Sequence, residues 1–199
     1  MEEAKQRASL ENSPMNDTTG ARPTFKPAPP ESSPAGPQEH LGAMADREGK
    51  YLTFTLAGEE YGIGILKIKE IIGMMPITSV PRTPGFVKGG INLRGKVIPV
   101  VDLRMRFSMA AIDYTDRTCI IVVETSGRGA DIVIGIVVDS VSEVLNIKSE
   151  DIEDTPTFGT RLNTDFILGM AKMEGNVKIL LDIDAVLSQD EIQMIQSAA

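Results

Sequence analysis

The chain has 199 residues, with 28 Asp and Glu against 20 Lys and Arg and a formal net charge of −8. That balance excludes nucleic-acid binding by phosphate neutralisation, which needs clustered Lys and Arg; no apolar run reaches the length of a membrane span, and a single Cys excludes an internal disulfide. The opening Met-Glu-Glu-Ala-Lys has neither the basic start nor the apolar stretch of a secretory signal, so the expected compartment is the cytoplasm.

Residues 1 to about 49 hold seven of the 12 prolines and one aromatic, Phe25, and read as a disordered tail with too little apolar area to offset its ordering entropy. From Tyr51 the apolar period is two, which predicts a strand, then a turn at Ala57-Gly58-Glu59-Glu60 and a return strand from Tyr61 to Ile65. Ile65, Ile68, Ile71 and Ile72 have helical spacing and predict a short helical turn. Gly89 to Asp102 reads as a hairpin with Arg94-Gly95 at its tip. Pro99 removes a backbone donor, so its arm is expected at a sheet edge or a bulge. Thr118 to Glu124 is a further strand, Gly127 to Ala130 a turn and Ile132 to Val138 a return strand, followed by helical spacing at Val138, Val141, Val144 and Leu145. Lys148 to Asp165, with the acidic run Glu150-Asp-Ile-Glu-Asp154, reads as a solvated loop. A second hairpin is tipped by Glu174-Gly175, and Ser188-Gln-Asp-Glu191 has capping-box spacing ahead of a final helix.

Two stretches of this order are copies. Phe86 to Phe107 aligns without a gap on Phe166 to Leu187, pairing Phe86 with Phe166, Gly89 with Gly169, Gly95 with Gly175, Val97 with Val177 and Asp102 with Asp182. Upstream, Gly62 to Ile72 matches Gly135 to Leu145, with Glu70 on Glu143. Two echoes in the same order predict a duplicated unit. The expected fold is all-β: two small barrels, one from about 50–110, one from about 115–187, and a C-terminal helix at about 188–197. The copies disagree most at the hairpin tip, where Arg94 stands against Glu174. An Arg on a rigid exposed tip suits an interface anchor, because its planar fork binds carboxylates in fixed geometry.

Catalytic chemistry finds little material. His40 is the only histidine and lies in the tail, so the folded part has no imidazole for a nucleophilic triad. Cys119 sits in an apolar strand and reads as a buried, inert thiol. Asp139 with Glu143, or Asp102 with Asp182, are candidate carboxylate pairs, but the repeat match of Asp102 and Asp182 favours a shared turn or cap. No metal site, cofactor or catalytic residue is expected.

These residues resemble the CheW family of chemotaxis coupling proteins. The resemblance rests on Tyr61-Gly-Ile with Ile68-Lys-Glu-Ile71, Val80-Pro-Arg-Thr-Pro-Gly-Phe-Val-Lys-Gly89, Asn92-Leu-Arg-Gly95, Val97-Ile-Pro-Val-Val-Asp-Leu103, and Gly135-Ile-Val-Val-Asp139 with Val141-Ser-Glu-Val144. It spans residues 50 to 196. It implies two tandem SH3-like five-stranded barrels in a non-enzymatic adaptor. Its implied partners are the regulatory domain of the histidine kinase CheA and the cytoplasmic tips of methyl-accepting chemoreceptors, in arrays at the inner face of the membrane, with no nucleic acid and no direct membrane insertion. It implies partner contacts at Ile68, Glu70, Gly89, Asn92, Leu93, Arg94 and Gly95. The same module occurs within kinases and receiver fusions; the length of this chain leaves room for neither and points to a stand-alone adaptor. The alternative reading is a small-ligand-binding regulatory barrel, for which the sequence offers neither an aromatic cage nor a phosphate loop.

Overall fold

Alternation of apolar and polar residues sets the strands, and glycine sets most of the turns. The structure, a computed structural model, describes residues 47–126, 131–156, 164–173 and 175–198. The expected tail, apart from residues 47–49, lies outside the described residues, as do the 127–130 turn and position 174. In chain order the elements are β1 (Gly49–Leu56), β2 (Glu59–Gly64), a 3-10 turn at Ile65–Lys67, β3 (Ile68–Gly73), β4 (Val87–Leu93), β5 (Lys96–Asp102) and α1 (Leu103–Arg106). There follow β6 (Cys119–Ser126), β7 (Asp131–Val138), β8 (Ser140–Ile147), a 3-10 turn at Ser149–Asp151, β9 (Ile152–Glu153), β10 (Ile167–Met173), β11 (Asn176–Leu181), α2 (Ile183–Val186) and α3 (Gln189–Ala198).

Among the described residues the strands form two sheets, ordered β8-β1-β2-β11-β10-β9 and β3-β6-β7-β5-β4. The duplication shows in the match β8 to β3, β1 to β6, β2 to β7, β11 to β5 and β10 to β4. The fold is all-β, as expected, but the sheets do not follow the halves of the chain. The hairpin that opens each copy pairs with the other copy: β1 with β8 and β2 with β11, β6 with β3 and β7 with β5. The expected boundaries at about 50–110 and 115–187 are therefore replaced by one unit from residues 68–138 and one from both ends. Duplicated strands have duplicated apolar patterns, so periodicity cannot say which copy a strand joins.

The helical spacing at Ile65–Ile72 and Val138–Leu145 also has a different cause. Only Ile65–Lys67 is helical, as a 3-10 turn; Ile68–Gly73 and Ser140–Ile147 are strands. Each carries a bulge: Ile68 and Glu70 oppose the adjacent Val123 and Val122, while Val144 and Val141 face Leu52 and Phe54. One extra residue turns a period of two into a step of three. Pro99 is likewise not at an edge, since β5 lies between β7 and β4. It is tolerated because Gly90 opposite turns its N–H and C=O away, to Thr78, and because pairing with β7 begins only at Val100. The acidic run is not all solvated loop: Ile152 is buried and β9 pairs with β10.

Successive residues of β6 feed two cores. Ile120 and Val122 pack inside the five-stranded unit with Ile91, Ile98, Val100 and Val137. Ile121 and Val123 join a larger core shared by both sheets, with Phe54, Ile63, Ile134 and Ile136. The other unit has its own interior around Tyr51, Ile147, Ile152, Ala171 and Leu180. The matched glycines Gly62 and Gly135 face these interiors, where a Cβ would lie 2.9 Å from Leu180 Cδ2 and 2.7 Å from Ile120 Cγ2. Glycine is thus needed for tight closure of both units, and not for a turn. A column of stacked rings, Phe54–Tyr61 at 5.9 Å, Tyr61–Phe107 at 6.1 Å and Phe107–Phe166 at 4.8 Å between centroids, runs through the shared core.

Asp102 and Asp182 cap α1 and α2, accepting from the Met105 N–H at 3.2 Å and the Asp184 N–H at 3.0 Å. The capping box of α3 is closed both ways: Ser188 Oγ accepts from the Glu191 N–H, and Glu191 Oε2 from the Ser188 N–H.

Two ion pairs sit at the crossings between sheets. Arg104 of α1 holds Asp139, which joins β7 to β8, through Nε and Nη2, both at 2.6 Å, and Asp139 Oδ2 also accepts from the Ala57 N–H at 2.9 Å. Lys67, which joins β2 to β3, meets Asp184 of α2 at 2.5 Å, and Asp184 Oδ1 accepts from the Ser126 N–H at 2.9 Å. Burial pushes the Asp139 carboxyl up, but the Arg104 guanidinium and the Ala57 N–H outweigh it and hold the pKa below its ordinary 3.8. A lowered folded pKa means that the stabilisation is complete above the ordinary value and is lost as pH falls through the folded one. Asp139→Asn, which strands a charged Arg104, is expected to cost about 2 kcal/mol at neutral pH. In thermal unfolding across pH, the gap between wild type and variant closes as pH falls through the lowered folded pKa, below the ordinary 3.8, where the wild-type carboxyl is itself protonated. A gap that stays constant with pH would assign the loss to packing.

Candidate functional site: the Arg94 hairpin and its groove

The β4–β5 turn is built for display. Arg94 has φ 53° and Gly95 φ 84°, the positive pair of a type I′ turn, whose twist matches that of the flanking strands. Asn92 Oδ1 accepts from the Gly95 N–H at 2.9 Å and fixes the tip. Asparagine or glycine is the usual first residue of such a turn; here the position is spent on an Arg whose side chain is 80% exposed. Its guanidinium reaches across the gap between the two end strands of the sheet, β4 and β3, to Glu70 Oε2 at 2.8 Å. The sheet curls until its ends face each other, and this ion pair spans the opening.

Below the tip lies a groove of about 570 Å³ walled by Glu70, Leu93, Arg94, Val97, Val122 and Ile132. Val97 is 62% exposed and Ile71, outside the groove on β3, is 45% exposed. The arrangement is a charged pair with exposed aliphatics on a rigid hairpin, the composition of an interface centre.

The structure brings Glu70, Asn92, Leu93, Arg94 and Gly95 together. Asn92, Arg94 and Gly95 are exposed; Glu70 and Leu93 are half-buried. Ile68 is half-buried and packs on the shared core. Gly89 is a correction to the expected contact set. It is buried, with φ 137°, and a Cβ there would stand 2.0 Å from the Thr78 carbonyl oxygen. Its part is to let Thr78 bridge Gly90, with both N–H···O bonds at 2.9 Å. Sequence reading missed Val97 and Ile71. Val97 matches Val177 in the repeat, and both are exposed, as are the matched Ile71 and Val144. Apolar identity alone does not show burial, so the sequence held no signal that set these residues apart.

The candidate carboxylate pairs are not pairs. Asp139 is committed to Arg104, Asp102 caps α1 and accepts from the Tyr114 hydroxyl at 3.4 Å, and the Glu143 backbone is bracketed by Thr53 Oγ1. Cys119 is half-buried, and burial raises its thiol against a smaller lowering by the Val141 backbone, which disfavours the reactive thiolate. Among the described residues no three His, Cys, Asp or Glu side chains gather to hold a metal ion, and no helix is long and apolar enough to cross a membrane.

Fold and site together define a docking module: two duplicated β-units with a presented Arg–Glu pair. The comparisons specify it further. The family model for the CheW-like domain matches residues 50–191. The chemotaxis protein CheW of Klebsiella aerogenes is 40% identical over 150 residues, 75% of this chain and 88% of that protein. CheW of Bacillus subtilis is 34% identical over 145 residues, 72% of this chain and 90% of its own. The crystal structure of the scaffolding protein TtCheW from Thermoanaerobacter tengcongensis has a TM-score of 0.63 at 36% identity, covering 72% of this chain and 97% of that one. The chain belongs to the CheW family. It is a chemotaxis adaptor and not an enzyme.

Proposed function

We propose that this adaptor couples the cytoplasmic tips of chemoreceptors to the histidine kinase CheA and thereby regulates the kinase within arrays at the inner face of the membrane. The observation that carries the reading is the exposed Arg94 on a fixed turn, paired with Glu70 and flanked by exposed Val97. Such a tip offers a partner a preset guanidinium with an apolar surface to bury beside it. The duplication adds a second, non-identical hairpin, β10–β11, so that unlike partners can be held at unlike edges and heterologous contacts can close into a ring. Regulation then requires only unequal affinity for the active and inactive kinase. The test is capture of the purified CheA regulatory domain and a receptor cytoplasmic fragment, separately and together, by the immobilised chain. Simultaneous capture is expected; failure to hold either would overturn the coupling role.

A further inference from the structure

The two ion pairs at the crossings have opposite polarity. Arg104 and Asp184 occupy matched positions in the repeat, at the second residue of α1 and of α2. In the first pair the helix carries the cation and the β7–β8 junction the anion; in the second the helix carries the anion and the β2–β3 junction the cation. Asp139 and Lys67 lie at matched junctions, one residue apart in register. The hydrogen bonds around them also correspond, because Ala57 and Ser126, whose N–H groups the two carboxylates accept, are the matched ends of β1 and β6.

We propose that this reversed polarity selects the exchanged pairing of the strands over a fold in which each copy closes on its own hairpin. The parallel contacts that carry the exchange are short: Val100, Val101 and Asp102 opposite Gly135, Ile136 and Val137, and Ile179, Leu180 and Leu181 opposite Tyr61, Gly62 and Ile63. Apolar pattern does not discriminate here. Val100 and Leu180 are matched residues, and each packs on a matched glycine, Gly135 or Gly62. Over these residues a β5–β2 pairing would bury much the same surface as β5–β7; one position beyond them, the buried Lys178 of β11 pairs with Glu60 of β2, where β5 and β7 have Ile98 and Val133, and this contact favours the exchange as well.

The charges differ where the apolar residues do not. If β5 paired with β2, Arg104 would come to the junction that holds Lys67; if β11 paired with β7, Asp184 would come to the junction that holds Asp139. Both self-contained units would oppose like charges, and both exchanged contacts oppose unlike ones. Like-charge contacts against a competing partner are a recognised way to set specificity when attractive surfaces are equivalent. Arg104 and Asp139 are only 13% and 21% exposed, so solvent screens their interaction incompletely.

The experiment uses the full chain in a Cys119→Ser background with Lys50→Cys and Asn146→Cys, exposed cross-strand partners of β1 and β8 that report the exchanged pairing by closing a disulfide. Each variant is refolded from urea under reducing conditions and then oxidised briefly. With native locks the cross-link is expected to be nearly complete. Arg104→Asp with Asp139→Lys keeps an attractive pair but gives both locks the same polarity; the fraction that fails to cross-link is expected to rise about tenfold, since like-charge contacts no longer penalise the alternative. Adding Lys67→Asp and Asp184→Lys restores opposite polarity with every charge reversed, and the cross-link is expected to return. Native-level cross-linking in the half-reversed chain would overturn the proposal. So would a fully reversed chain that performs no better than the half-reversed one, including the case where neither folds.

Discussion

Gly89→Ala is expected to remove the stable fold, or to cost more than about 4 kcal/mol in urea unfolding, well beyond the usual effect of a point substitution. Two independent penalties meet at this residue. Its φ of 137° lies in a region that L side chains rarely adopt, and the added Cβ would fall 2.0 Å from the Thr78 carbonyl oxygen and 2.9 Å from Ser79 Cα. All three nearest atoms are backbone of Thr78 and Ser79, so there is no flexible side chain to move aside. Gly95→Ala is the control: φ is 84° there as well, but nothing lies within 4 Å, so only backbone strain of about 1 kcal/mol is expected. The contrast separates two ways of losing adaptor function. A substitution at Gly89 acts through the seat of the hairpin; under the proposed function, one at the tip acts through the partner. Equal stability of the two alanine variants would refute the account of Gly89.

Arg94→Asn is expected to weaken capture of the partner that docks on this hairpin by about thirtyfold, the loss typical of an interface hot spot of about 2 kcal/mol. The choice of Asn matters. Asn-Gly is the preferred pair for a type I′ turn, so the substitution relieves the strain of φ 53° at position 94 while removing the guanidinium. Thermal unfolding is expected to be unchanged or slightly improved, because the exposed ion pair to Glu70 contributes at most about 1 kcal/mol. A more stable chain that binds less well is an outcome a purely structural Arg94 would not give. Undiminished capture of both kinase domain and receptor fragment would remove Arg94 from the contact surface.

What could be read from the sequence depended on whether the controlling interaction was local. Hairpin turns, the Asp102 and Asp182 caps and the capping box at Ser188–Glu191 are set by residues within a few positions of each other, and all were legible. Bulges were not, because an inserted residue at Lys69 imitates helical spacing until the opposite strand is known. Strand partnership was least legible, since β5 and β11 share their apolar end at Val100–Val101 and Leu180–Leu181, and the charges that distinguish them, Arg104 against Asp184 and Ile98 against the buried Lys178, act only through distant partners. For the site, the Arg94–Glu174 contrast between the copies pointed to the β4–β5 hairpin, on which the structure displays Arg94. The exposed Val97 escaped notice because apolar identity in a strand does not say which face is covered.

The interleaving of the copies also fixes when each sheet can be finished during translation. All strands of the five-stranded sheet have been made once Val138 is added, whereas β1 and β2 must wait until Leu181 for the strand β2 pairs with. At about 5–20 residues per second the intervening 43 residues take roughly two to nine seconds, with the outer edge of β2 unsatisfied throughout and that of β1 until β8 ends at Ile147. A nascent chain stalled in that interval would hold one complete sheet and one orphaned ribbon, and neither duplicate could be excised as a free-standing unit.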